Sequence, residues 1–356
     1  MESIECTVRV RSGLNNKQLK INTMKLLSAF KIYVAIVGLA LCTTKSFAQT
    51  DPHFSQYYAY PLWLNPALTG VIDGDYRGSV NFKQQWSSLN SSFLTGGASF
   101  DLAPKKNFAF GATVLNQRAG ELDFNYLTAL VSGSYRLRFG REGLQTVNFG
   151  LQAGVINRSF DFSQARFGNQ FNPLSGYDGG MMSGETLSSQ SSLVPDVNAG
   201  VMFFDGNPNQ NVNVFAGVSA AHLTRPMDRF SGTNSRIPVR FTAHGGARIK
   251  ASQLLDIVPN ALYMSQGNTS ETSLGAYAQL NVNPSANILF GGNYRLKDAA
   301  IAFVGLQLKN MVFGLSYDVN TSSFNRASNS NGGLELSISL IGRNGIIGPN
   351  FFCPRL

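Results

Sequence analysis

The sequence predicts an all-β fold: a transmembrane antiparallel β-barrel of about 14 strands with an N-terminal periplasmic or plug segment. Three observations predict it. Apolar and polar residues alternate with period 2 over most of the chain beyond residue 48. The alternating runs are 10 residues or longer, the length a tilted strand needs to cross a bilayer and well above the globular mode. Charged residues make up only 14% of the 356, against roughly 25% in soluble domains. Their place is taken by 36 Gly, 26 Phe and 12 Tyr, which suit strands apolar on one face and neutral-polar on the other.

The first element is an export signal. Lys25 and Lys31 precede an apolar core at 32–41, and Ser46-Phe47-Ala48 supplies a small-x-small cleavage site. Residues 1–48 are therefore expected to be an N-terminal extension and signal peptide, with translation starting at Met24 and cleavage after Ala48. An apolar run of this length is too short for a membrane-spanning helix, which needs about 20 residues. The segment carries seven bases and two acids; without it 22 bases and 18 acids remain, so the charge falls from +9 to +4. That excludes a nucleic-acid partner argued from a basic pI. Cys353 is the one cysteine left, and a single thiol makes neither an internal disulfide nor a cysteine metal site.

Residues 49–75 come next and fit no strand. Asp51, Pro52, His53, Phe54, Ser55, Gln56, Tyr57 and Tyr58 are followed by Tyr60, Trp63, Asn65 and Pro66. Three prolines (Pro52, Pro61, Pro66) argue against a long helix or a central strand. Such an aromatic extension is expected to fold into the barrel as a plug or to dock against a partner.

The barrel itself is expected over 76–342, with strands at 76–87, 91–102, 107–118, 124–139, 145–158, 193–205, 211–224, 236–250, 255–265, 271–283, 286–297, 299–309, 311–320 and 332–342. In 311–319, for example, Met311, Phe313, Leu315, Tyr317 and Val319 share one face and Gly314, Ser316 and Asp318 the other. The glycines Gly150, Gly154, Gly275, Gly291 and Gly314 fall on the inner face. Arg136, Arg138 and Arg240 are assigned to the lumen, because arginine on the lipid face near the midplane costs about 2–4 kcal/mol. Short connections fall on even-to-odd joins, and the longest follow strands 5, 7 and 13. This asymmetry predicts tight periplasmic turns, longer external loops, and both termini in the periplasm, the C-terminal tail being 343–356. The loop 159–192 carries Phe160, Phe162, Phe167 and Phe171 and is too apolar for a plain solvated loop, so it is a second candidate partner surface.

Catalytic and metal signals are missing. His53, His222 and His244 stand in no ligand spacing, and no nucleophile elbow, dinucleotide fingerprint or P-loop occurs. No catalytic residue, cofactor or metal is expected.

The run DPHFSQYYAYPLWLNPALTG from Asp51 to Gly70, Gln84-Gln85-Trp86 on the first strand and the Cys353-Pro354-Arg355-Leu356 ending together resemble the PorP/SprF family of outer-membrane proteins of the type IX secretion system. The resemblance covers the mature chain in order, with Leu356 in place of the family's usual Phe. It implies an accessory barrel rather than an enzyme, in the outer membrane, supporting secretion or surface attachment of adhesins of the gliding-motility type. Its implied partners are the translocon, periplasmic secretion components and the C-terminal sorting domains of cargo adhesins. No small-molecule substrate is expected. The alternative reading is a stand-alone channel or hydrophobic-solute transporter.

Overall fold

A computed structural model describes residues 51–87, 92–103, 107–120, 122–140, 143–161, 165–172, 174–182, 184, 191–228, 235–283, 285–323 and 331–343. The signal and cleavage site, Phe162 and the tail beyond Arg343 with Cys353 lie outside them.

Fourteen antiparallel strands close into one barrel. They are β1 (Tyr76–Gln85), β2 (Phe93–Leu102), β3 (Phe108–Ala119), β4 (Phe124–Phe139), β5 (Gln145–Ser159), β6 (Ser191–Asp205), β7 (Val212–Ala221), β8 (Arg240–Lys250), β9 (Leu255–Gln266), β10 (Thr269–Asn283), β11 (Ala286–Arg295), β12 (Ala299–Leu308), β13 (Met311–Asn320) and β14 (Asn331–Gly342). Each pairs with its sequence neighbours, and β1 pairs with β14 from Tyr76↔Gly342 to Gln85↔Gly333, which closes the ring. Closure leaves no edge, so every strand's backbone groups find partners without water. No helix among the described residues is long and apolar enough to cross a membrane.

The alternation sorts the side chains as the sequence predicts. Leu334, Leu336, Ile338 and Leu340 are exposed on the outer face of β14, while Glu335 and Ser337 are buried inside. Aromatic side chains mark both rims of the outer band. Tyr76–Phe100, Phe108–Tyr135 and Phe139–Phe203 pair near one end, at ring distances of 6.2, 4.8 and 6.2 Å. Trp86 meets Phe93 edge-on at 5.0 Å near the other. Such belts suit the two membrane–water interfaces, where an amphipathic ring is half wet.

Strand boundaries differ from the sequence expectation where a turn overrides the pattern. β8 starts at Arg240 rather than 236, because Pro238 has no N–H to give the ladder. β7 ends at Ala221 because His222 adopts a positive φ of 59°. β9 and β10 run further, meeting at a two-residue turn built on Gly267 (φ 59°). Four joins at the loop end are therefore short, yet the three long connections (160–190, 222–239 and 321–330) still share that end. We refer to this as the loop end and to its opposite as the turn end.

The segment 51–75 runs through the lumen. Its first described residue, Asp51, binds His222 and Arg240 at the loop end, and Asp75 donates to Gly342 O at the turn end. The segment thus passes from the loop end to the turn end before it enters β1. A segment that crosses the barrel once before joining β1 must start opposite the point where β14 finishes.

Candidate functional site

Pro61 and Pro66 break the lumenal segment into single helical turns: Tyr57–Ala59, Pro61–Leu64 and Pro66–Leu68. Asn65 links the last two. Its backbone N–H donates to Pro61 O, its side-chain oxygen accepts from Ala67 N at 2.9 Å, and its amide donates to Val201 O and Val218 O on the wall. One short polar side chain thereby caps a turn and pins it to β6 and β7. The wall makes room with Gly150 and Gly200: a Cβ at the first would collide with the Pro66–Ala67 backbone, and at the second with the Asn65 side chain.

Two apolar clusters hold the segment along its length. Leu64, Ala67, Leu68 and Val71 pack with Met202, Phe204 and Phe215, while Phe54, Tyr60 and Trp63 pack with Leu115, Tyr126, Leu130 and Ile156. Burying each large side chain here is worth about 1.5–3 kcal/mol over exposing it. Lumen-facing positions of a barrel are otherwise polar, so these wall hydrophobes exist for the segment.

Charged side chains fix both ends. Nearest the loop end, Asp51 lies 2.7 Å from His222 Nε2 and 2.9 Å from Arg240, and His222 Nδ1 meets Asp196 at 3.0 Å. Arg240 also lies over the Trp63 ring at 4.4 Å, and Trp63 Nε1 donates to Pro52 O at 3.0 Å. Next, His53 Nε2 accepts from Arg295. Glu271 approaches the same ring nitrogen at 3.7 Å.

The third anchor uses main chain. Ser55 N and Gln56 N donate to the two oxygens of Glu335 at 2.6 and 3.0 Å. Ser55 Oγ donates to Asp318 and accepts from Lys83, and the Gln56 amide is held by Ser316 and Ser337. Towards the turn end Gly70 N donates to Asp101, which also holds Arg77, while Arg136 donates to Gly70 O. These contacts reach β1 to β8, β10, β11, β13 and β14, so the segment is held from most of the ring.

All ten N-terminal candidates (Asp51, Pro52, His53, Phe54, Ser55, Gln56, Tyr57, Tyr58, Asn65 and Pro66) lie inside the barrel, buried or half-buried. The loop aromatics stand apart from it: Phe160 and Phe167 are half-buried and Phe171 is exposed. Phe171 and Tyr177 cross-pair in a small hairpin, their rings 5.5 Å apart, with Leu174 and Met182 98% and 85% exposed. Arg240 and Arg136 enter the lumen as expected, and Arg138 shares their strand parity but is exposed. Sequence reading missed Lys83, Asp101, Asp196, Arg295, Asp318 and Glu335 as anchors. Their available signal was a charge at an inward position of a strand.

Chemically the arrangement is a clamp of ion pairs and hydrogen bonds. Both ring nitrogens of His222 are held by carboxylates, leaving no free base. Burial alone would lower the His222 pKa, but the charge of Asp51 and the hydrogen bonds that the ring donates to Asp196 and Asp51 overcome it and raise it to about 9. Burial would likewise raise Asp51, yet His222 and Arg240 pull it below the usual carboxylate range. A raised imidazole stabilises the folded state fully below its unfolded value of 6.5. That stabilisation is lost as pH climbs through about 9. We expect the thermal midpoint of the detergent-solubilised protein, read by gel shift, to fall between pH 6.5 and 9.5 by the equivalent of up to roughly 3 kcal/mol. His222→Asn should flatten the profile; a flat wild-type profile would contradict the assignment.

A family model described as "Type IX secretion system membrane protein PorP/SprF" matches residues 46–340. No curated protein matches the chain in sequence. Among solved structures, the Ralstonia pickettii toluene transporter TbuX is similar at 12% identity and TM-score 0.49, over 83% of this chain and 96% of that one. The CymD monoaromatic hydrocarbon channel is similar at 11% identity and TM-score 0.44, over 83% and 95%. The KdgM porin is similar at 6% identity and TM-score 0.37, over 74% and 98%.

Proposed function

We infer the function from one premise: this chain belongs to the type IX secretion system membrane protein family PorP/SprF. The barrel acts there as an accessory component of the outer membrane that supports secretion or surface attachment of cargo adhesins by binding other proteins. The observation that carries this reading is the lumenal segment 51–72. A barrel whose lumen is occupied by its own chain and closed by buried ion pairs at the loop end is built to present surfaces rather than to conduct.

Two surfaces are available. The turn end faces the periplasm, where translocon and periplasmic secretion components would dock. At the loop end the connection 160–190 presents Phe171, Leu174, Tyr177 and Met182 to the outside, an apolar patch suited to a protein partner such as a cargo sorting domain. Exposed aromatic and methionine side chains are the residue types enriched at interface cores.

Deleting the gene and analysing the culture supernatant and cell surface tests the reading. The expected result is loss of secretion or attachment of particular adhesins, with other exported proteins unchanged. Purified protein in planar bilayers should conduct little. Normal export of all adhesins, together with robust solute-selective conductance, would replace this reading with a channel.

A further inference from the structure

The segment fills the loop end but not the whole lumen. Between it and strands β10–β14 and β1 lies a cavity of about 500 Å³, within the roughly 300–1,000 Å³ of small-molecule sites. Ser285, Lys309, Asn310 and Arg343 line its turn-end mouth. Its inner end is blind, stopped by Tyr58 and by Gln56, whose amide is fixed to Ser316 and Ser337.

We propose that this cavity binds a single-chain anionic amphiphile of the fatty-acid class, tail inward and carboxylate at Lys309. This goes beyond the secretion role and revises the expectation that no small molecule is bound.

The inner part is apolar where a barrel lumen is normally polar. Tyr58 stacks near Tyr277 at 5.8 Å and meets Phe303 edge-on at 5.7 Å, and Leu289 and Val312 complete that wall. Left to water these side chains would be an uncovered apolar patch. Above them the walls carry neutral donors and acceptors, Gln279, Gln307, Ser79 and Ser339.

Charge at the mouth is one-sided. Three cations and a single acid line the cavity. Arg77 is engaged by Asp101 at 2.9 Å and Arg343 by Asp73 at 2.7 Å. Lys309 carries no acidic partner among the described residues. It occupies a two-residue hairpin turn at a positive φ of 50°, a position that glycine or asparagine fills with less strain. A lysine kept there at conformational cost, beside an apolar shaft, is a fitting counter-ion for a carboxylate. From Asn310 to Gly314 the cavity follows four residues of β13, about 13 Å, which suits a chain of medium length.

Native mass spectrometry of the full protein in nonionic detergent tests this, with laurate, dodecanol and dodecyltrimethylammonium as probes. One laurate per chain is expected, dodecanol more weakly and the cation least. Lys309→Ala should weaken laurate roughly fivefold and leave dodecanol unchanged, a size typical of one exposed ion pair. Val312→Trp, which fills the shaft, should abolish binding of all three while the heat-shifted gel band shows an intact barrel. Laurate retention unaffected by both substitutions, or the cation binding as well as laurate, would overturn the proposal. Secretion assays are read separately, so this result and the secretion role stand or fall independently.

Discussion

Replacing Asp51 with alanine should loosen the N-terminal half of the lumenal segment by about 3–5 kcal/mol, the usual consequence of stranding a buried charge. Asp51 is 6% exposed and accepts from both His222 and Arg240 through one oxygen. Among the described residues Arg240 would then keep only Trp63 O and the face of the Trp63 ring, and its charge is left in a water-poor site. Trp63 in turn holds Pro52, so the loss spreads along the turn towards Tyr57. Hydrogen exchange should show 51–58 opening while the barrel ladders, which do not involve Asp51, stay protected. Asp51→Asn keeps an acceptor and should cost less. Exchange over 51–58 as slow as in the wild type would mean that the apolar packing alone holds the segment.

The second large effect is expected from Gly150→Val. Gly150 faces inward from the middle of β5, and a Cβ there meets the carbonyl of Pro66 and the amide of Ala67. These are backbone atoms, which cannot swing aside as a flexible side chain would. Asn148 and Gln152, on either side of Gly150, donate to Ala67 O and Leu62 O, so displacement also breaks wall-to-segment hydrogen bonds. Overpacking of this kind costs about 1–3 kcal/mol and more when nothing can yield; about 3 kcal/mol or above is expected. Gly96→Val is the control, since a Cβ at Gly96 meets nothing within 4 Å. A lowered denaturation midpoint and new conductance should follow the first substitution and not the second. Equal midpoints for the two variants would show that the Pro66–Ala67 turn does not rest on β5.

The barrel was legible because its information is local. A period-2 pattern such as that of Leu334 to Leu340 states both strand and face, and closure follows from the length and number of such runs. Errors of a few residues arose where one side chain overruled the pattern, as at Pro238 and His222. The lumenal segment was legible as aromatic, proline-broken and unlike a strand, but not as to its path. Its partners lie up to 281 positions away, as Gln56 and Ser337 do. Several of its anchors are main-chain N–H groups, at Ser55, Gln56 and Gly70, which leave no mark in residue types. The inward charges that receive them looked like ordinary lumen polarity. Only their counterparts identify Lys83 and Asp318 as holding a serine in place.

The third anchor has a consequence for how the molecule is assembled. Glu335 lies on β14 and Lys83 on β1, opposite one another across the pair that shuts the ring. Between them sits Ser55, bound to both. The closing pair and the segment therefore share their hydrogen bonds, because a carboxylate of β14 and an ammonium of β1 each make one with Ser55. The join of first and last strand thus doubles as a clasp: it holds the ring shut and the leading peptide in place with the same two side chains.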